Sequence, residues 1–185
     1  MFMCKTGKYQ EGGGINKIIK DGINKFQING LMSFQYCTCK EFGGSVNING
    51  SLGAMINFKS VSFTSCSSEG GGGLNTRLQS GSIQNITDAV NFTLCQSASQ
   101  NRGGIRAILT EPASSIFISG SSIFDECKTT GQGDEMYINA NQSKIINLKS
   151  VLFDNYEAIQ GEGVIRSLLV NGGTLTIEGL TNFTT

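Results

Sequence analysis

Val61-Ser62-Phe63-Thr64-Ser65-Cys66 and Val90-Asn91-Phe92-Thr93-Leu94-Cys95 are two copies of one short pattern. Each sets a phenylalanine two residues after a valine and a cysteine three residues after the phenylalanine. The phenylalanine recurs as Phe34, Phe63, Phe92, Phe124, Phe153 and Phe183, at spacings of 29, 29, 32, 29 and 30. Three positions later stand Cys37, Cys66, Cys95, Cys127 and then Tyr156. Glycine-rich pairs follow at Gly43-Gly44, Gly72-Gly73, Gly103-Gly104 (displaced by two), Gly133-Asp134 and Glu162-Gly163. An imperfect first copy has Met1 in the phenylalanine slot, Cys4 in the cysteine slot and Gly12-Gly13-Gly14 as its turn. A fixed period of this length is the signature of a stacked-repeat architecture.

Within each unit the residues after the glycines alternate as a strand does, as in Ser45-Val46-Asn47-Ile48 and Ile105-Arg106-Ala107-Ile108. A second alternating run follows, such as Ala54-Met55-Ile56-Asn57-Phe58, and a short third run ends on the phenylalanine. Period two with β-branched enrichment argues for strands. Asn16 to Asn24 is the one stretch with a helix-like look, and it aligns with strands of the other units. Three strands per unit predict an all-β, right-handed parallel β-helix with the pectate-lyase-like superfold, of about six coils. The repeats run approximately 1–33, 34–62, 63–91, 92–123, 124–152 and 153–182. Equivalent residues then stack in ladders ~4.8 Å apart, with Phe34, Phe63, Phe92, Phe124 and Phe153 inside. The glycines are expected at turns that need positive φ. Because the chain opens and closes inside repeats, it reads as a fragment of a longer array or as a solenoid that docks end-on to itself.

Composition narrows the function. The 185 residues carry 14 basic and 14 acidic side chains and no histidine. That balance argues against a nucleic-acid partner, and the missing histidine excludes Ser-His-Asp and Cys-His chemistry and any histidine metal ligand. The 25 glycines are about twice the usual ~7 %. No secretory leader or transmembrane run is visible in this chain.

Five of the six cysteines (Cys4, Cys37, Cys66, Cys95, Cys127) fall one per coil, which predicts a column of buried thiols. Neighbours in such a column lie inside the Cα window for a disulfide, but parallel side-chain vectors disfavour the dihedral. A column spreads its sulfurs along a line, against a four-ligand zinc site, and no other metal or cofactor site is read. Cys39 is expected to be exposed and reactive.

The combination of G-G (best at Gly103-Gly104-Ile105) and F-x-x-C motifs resembles the GGAI and FxxN repeats of polymorphic outer membrane proteins. It is still more similar to the F-x-x-C repeats of large surface-protein families of unicellular eukaryotes. Cysteine stands here where the bacterial repeat has asparagine. The resemblance covers nearly the whole chain and implies a β-helical, extracellular or surface-displayed protein, structural or adhesin-like, with glycans or other surface proteins as partners. It carries no catalytic residue over.

Carbohydrate-active β-helices are the rival reading. Their galacturonase family uses N-T-D, D-D, G-H-G and R-x-K elements; Asn85-Ile86-Thr87-Asp88 does not match the first and histidine is missing for the third. The acidic candidates are Asp134 and Glu135, with Asp125 and Glu126 earlier in the coil; the chemistry needs convergent carboxylates. Arg77, Arg106 and Arg166 recur on the strand after the glycines and are candidate contacts for an anionic glycan. N-x-[ST] sequons at Asn49, Asn85, Asn91, Asn141 and Asn182 are candidate glycosylation sites. On balance the residues read as a scaffold rather than an enzyme.

Overall fold

Alternation at period two places every second side chain on one face of a strand, and here that face closes on itself. The computed structural model describes residues 2–5, 13–100, 103–129, 135–142, 145–155 and 164–184; of these, the side chains of 2–5, 98–100, 129 and 145–147 are not described. Ile15–Ile19, Val46–Gly50, Leu74–Leu78, Ile105–Thr110, Met136–Asn141 and Ile165–Val170 stack in file as a six-stranded sheet. A twelve-stranded sheet gathers the second and third runs, joined in long strands such as Lys25–Thr38 and Ser115–Asp125. Each of these two bends where the register slips, between Ile28 and Leu31 and between Ile118 and Ser121. Every pairing is parallel, and the partners are equivalent residues of neighbouring coils: Val61, Ser62, Phe63 and Thr64 face Val90, Asn91, Phe92 and Thr93.

The chain is therefore an all-β parallel β-solenoid of about five turns, and no helix occurs among the described residues. Six strands in file make five coil-to-coil steps, which is why six repeats give about five turns. The helix-like stretch near the N-terminus contains the strand Ile15–Ile19, held by pairing to Val46–Gly50.

Three expectations change on contact with the register. The first copy aligns through Phe2, which faces Phe34, and a register shift between Met3 and Lys5 brings the chain to the Lys5–Thr38 pair; Met1 lies outside the described residues. The polar stretch after the cysteine is not simply a turn: Ser67–Gly70, Gln96–Gln100 and Lys128–Thr129 form a fourth, short strand. Its serine, glutamine and glycine content hid it, because pairing to the neighbouring coils rather than propensity makes it a strand. The glycines, finally, serve close packing more than unusual φ. Gly43 and Gly71 do have positive φ (65° and 81°), but a Cβ at Gly73 or Gly104 would come 2.5 Å from the Cε1 of Phe92 or Phe124.

A spacing of three would put phenylalanine and cysteine on opposite faces of a straight strand. The residue just before the cysteine position resolves this. Tyr36, Ser65, Leu94, Glu126 and Asn155 all adopt the left-handed region, with φ between 49° and 54°. This one kink per coil turns the corner and returns the next side chain to the interior. Phe34, Cys37, Phe63, Cys66, Phe92, Cys95, Phe124 and Cys127 are accordingly all buried. The rings of Phe34 through Phe183 stack face to face with centroids 4.8–5.5 Å apart and planes within 20°. The longest coil, 32 residues from Phe92 to Phe124, takes its extra residues at corners. The offset to the preceding coil grows between Ser97 and Ile105, and again between Leu109 and Ser115.

Removing one ring from the middle of the stack tests this account. Phe92→Ala is expected to cost about 3–5 kcal/mol, read as a lower midpoint in thermal or urea unfolding. The kink is tested at Leu94, which is 38 % exposed and strained at φ 54°. Leu94→Asn should raise the thermal midpoint and Leu94→Val lower it, because asparagine tolerates the left-handed region and β-branched residues do not.

Candidate functional site

On the six-stranded sheet, the residues alternating with the core row of Val46, Leu74, Ile105 and Met136 form an outward row of Asn16, Asn47, Asn75, Arg106, Tyr137 and Arg166. It is stitched by side chains. Asn47 Nδ2 donates to Asn16 Oδ1 at 3.0 Å, Asn75 Nδ2 donates to Asn47 Oδ1, and Arg106 donates through Nη1 to Asn75 Oδ1 at 2.8 Å. Phe42, from the corner of an earlier coil, lies over the guanidinium with its ring centroid 4.5 Å from Arg106 Cζ. Arg106 is left 7 % exposed. The glycine-rich corner thus acts as a cover over this row.

The three arginines do not make one binding line. Arg106 is sealed beneath Phe42; Arg166 shares its row, one coil beyond Tyr137, and is exposed. Arg77 is exposed two residues further along the strand, in the row of Asn49, Ile108 and Asn139. There, with Lys20, Asn49, Ser51 and Gln79, it lines an open groove of about 550 Å³.

The acidic candidates are separated. Asp134 lies outside the described residues. Glu135 occupies the slot of Gly104, whose N–H donates to its carbonyl at 3.0 Å, and is only 1 % exposed. Asp125 ends a strand of the other sheet and accepts from Asn155 Nδ2 at 3.3 Å, while Glu126 is exposed at the corner kink. Of the sequons, Asn85 donates through Nδ2 to Asn57, Asn141 accepts from Asn171, Asn91 has a buried Oδ1, Asn49 faces the groove and Asn182 is exposed.

The cysteine column is continuous. Cys66, Cys95 and Cys127 are free and buried, and their thiols donate to the carbonyls of Phe34, Phe63 and Phe92 at 3.6–3.7 Å. Their sulfurs are neighbours along the column, so an ionised thiol there can accept from the next. The hydrogen bond from Cys95 outweighs burial at Cys66 and lowers its pKa to about 7, whereas burial pushes Cys95 well above the usual thiol value. The expected all-thiol column is corrected at Cys37, which is disulfide-bonded. The side chain of Cys4 is outside those described. Cys39 is half-buried, its thiol directed at the carbonyls of Phe42 and Gly43 at 3.3 and 3.4 Å. Among the described residues, no group of three or more His, Cys, Asp or Glu is arranged to hold a metal ion.

The lumen holds a polar pair that periodicity did not single out. Gln84 interrupts the row of Phe26, Ile56 and Ile116, and Thr76 the row of Ile48, Ala107 and Ile138. Both line an interior cavity of about 20 Å³, large enough for a single water but far too small for a substrate. Gln84 is fully buried, and neither its Oε1 nor its Nε2 has a partner among the described residues.

These features define the chain as a parallel β-solenoid with stacked phenylalanine and cysteine ladders. Comparison with protein-family models, with curated proteins and with solved structures returned no match in any of the three.

An unpartnered buried amide costs about 1–3 kcal/mol. Gln84→Met, of similar length and without the amide, is therefore expected to raise stability by on the order of 1 kcal/mol or more, measured by urea denaturation. A loss of stability would show that the amide is satisfied and structurally required.

Proposed function

We propose that this chain is a non-catalytic surface repeat module, a short rod that displays its corners and outer faces, in the manner of the F-x-x-C repeat proteins it resembles. The observation that carries this reading is the unbroken phenylalanine stack from Phe34 to Phe183. Each coil spends its most constrained positions on stacking against the next. Five turns at ~4.8 Å per coil give a body roughly 24 Å long, suited to spacing and presentation. The placement of the acids agrees: Asp125 ends a strand of the twelve-stranded sheet, whereas Glu135 lies in the corner just before Met136–Asn141 and is sealed. Surface display accounts for the sequon at exposed Asn182 and for the low charge.

A second reading rests on the groove at Arg77. Two cations, Lys20 and Arg77, beside Asn49, Ser51 and Gln79 fit an anionic oligosaccharide, with carboxylates or sulfates paired to the cations and amides hydrogen-bonding hydroxyls.

Both are tested by incubating the purified chain with a panel of polyuronates and sulfated glycans, following turnover and binding separately. The module reading expects no turnover. Turnover that disappears in Asp134→Asn or Glu135→Gln overturns it. The groove reading expects weak, salt-sensitive binding that Arg77→Ala reduces at least tenfold and Arg166→Ala leaves unchanged.

A further inference from the structure

We infer that the interior cysteine column is a site of reversible cross-linking between coils, in which a small-molecule disulfide oxidises Cys95 together with either Cys66 or Cys127 and the resulting bond can move along the column. The inference does not depend on the surface reading.

The geometry comes from the register. Thr38 faces Ser67, Ser67 faces Gln96 and Gln96 faces Lys128, so the residues just before them, Cys37, Cys66, Cys95 and Cys127, stack coil on coil. Adjacent parallel strands are ~4.8 Å apart, inside the 4.4–6.8 Å Cα window of a disulfide. An ionised Cys66 is within reach of the Cys95 thiol. Cys37, in the same column, is disulfide-bonded. Cys66 and Cys127, two coils apart, fall outside the window, which makes Cys95 the common partner.

The Cys66 thiolate attacks one sulfur of the small disulfide; the S–S bond breaks and one small thiolate leaves and takes up a proton. Cys95 then loses its proton and attacks Cys66 Sγ, releasing the second small thiolate. Two protein thiols are oxidised and one disulfide is reduced to two thiols. Three thiols in file can hold only one such bond, so a thiol always remains beside it. Cys127, deprotonated, can attack Cys95 Sγ; the Cys95–Cys127 bond forms and Cys66 leaves as a thiolate that is reprotonated, with no net oxidation. Cys66 is the thiol that ionises near neutral pH, and it is flanked by part-exposed Ser65 and Ser67. Local opening of that corner admits the oxidant without unfolding the coil.

The test uses the full chain with excess oxidised glutathione, alkylation of remaining thiols in denaturant, and peptide mapping without reduction. Wild type should yield both Cys66–Cys95 and Cys95–Cys127 linked peptides. Cys127→Ser should yield only the first and Cys66→Ser only the second. The oxidised protein should unfold several degrees higher than the reduced one and return after reduction. Finding neither linkage in wild type, or a Cys66–Cys127 linkage in Cys95→Ser or Cys95→Ala, overturns the site. Finding only one of the two in wild type overturns the mobility of the bond. The wild-type map decides the question even where a variant fails to fold.

Discussion

Stacking of like on like at the coil spacing is the constraint from which the rest follows. A face-to-face ring pair is not the arrangement aromatic quadrupoles favour unless the rings are offset, yet five successive ring pairs adopt near-parallel planes. Backbone pairing dictates the separation, and the rings fill the space it leaves. Gly73 and Gly104 lie against the ladder rings with no room for a Cβ, so the glycine content and the phenylalanine period are two sides of one packing problem.

A second ladder on the outer face follows the same logic with polar groups. Asn47 and Asn75 each pass a hydrogen bond along the solenoid, and Arg106 ends the chain of donors beneath Phe42. An amide ladder works because each asparagine offers both a donor and an acceptor; arginine offers only donors, so it fits at the end and not in the middle. The stability of this face therefore rests on residue order as well as composition.

Much of this was legible in the sequence, for a physical reason. A solenoid repeats its environment, so one coil's requirement shows as a period, and Phe63 with Cys66 already contained the fold. What the period did not carry stayed hidden. Ser65 and Leu94 share a backbone conformation but no side-chain type, so the left-handed kink left no mark. Phe42 belongs to no motif, so nothing announced that it would bury Arg106 and break the apparent row of arginines. Gln84 is a single departure inside an apolar row, visible only once the rows are assigned. At the first coil, Met1 preserved the three-residue count to Cys4, and the register chose Phe2 instead.

The 32-residue coil bears on how such a chain varies. Its additional residues enter between Ser97 and Ile105 and between Leu109 and Ser115, after which the pairing resumes with Phe124 against Phe92. Coil length and ladder position are thus uncoupled: the interior keeps time by contact with the coil before it, not by counting residues. Insertions at a corner leave the reading frame of the stack intact, so the outline of the rod is free to diversify while its axis is inherited unchanged.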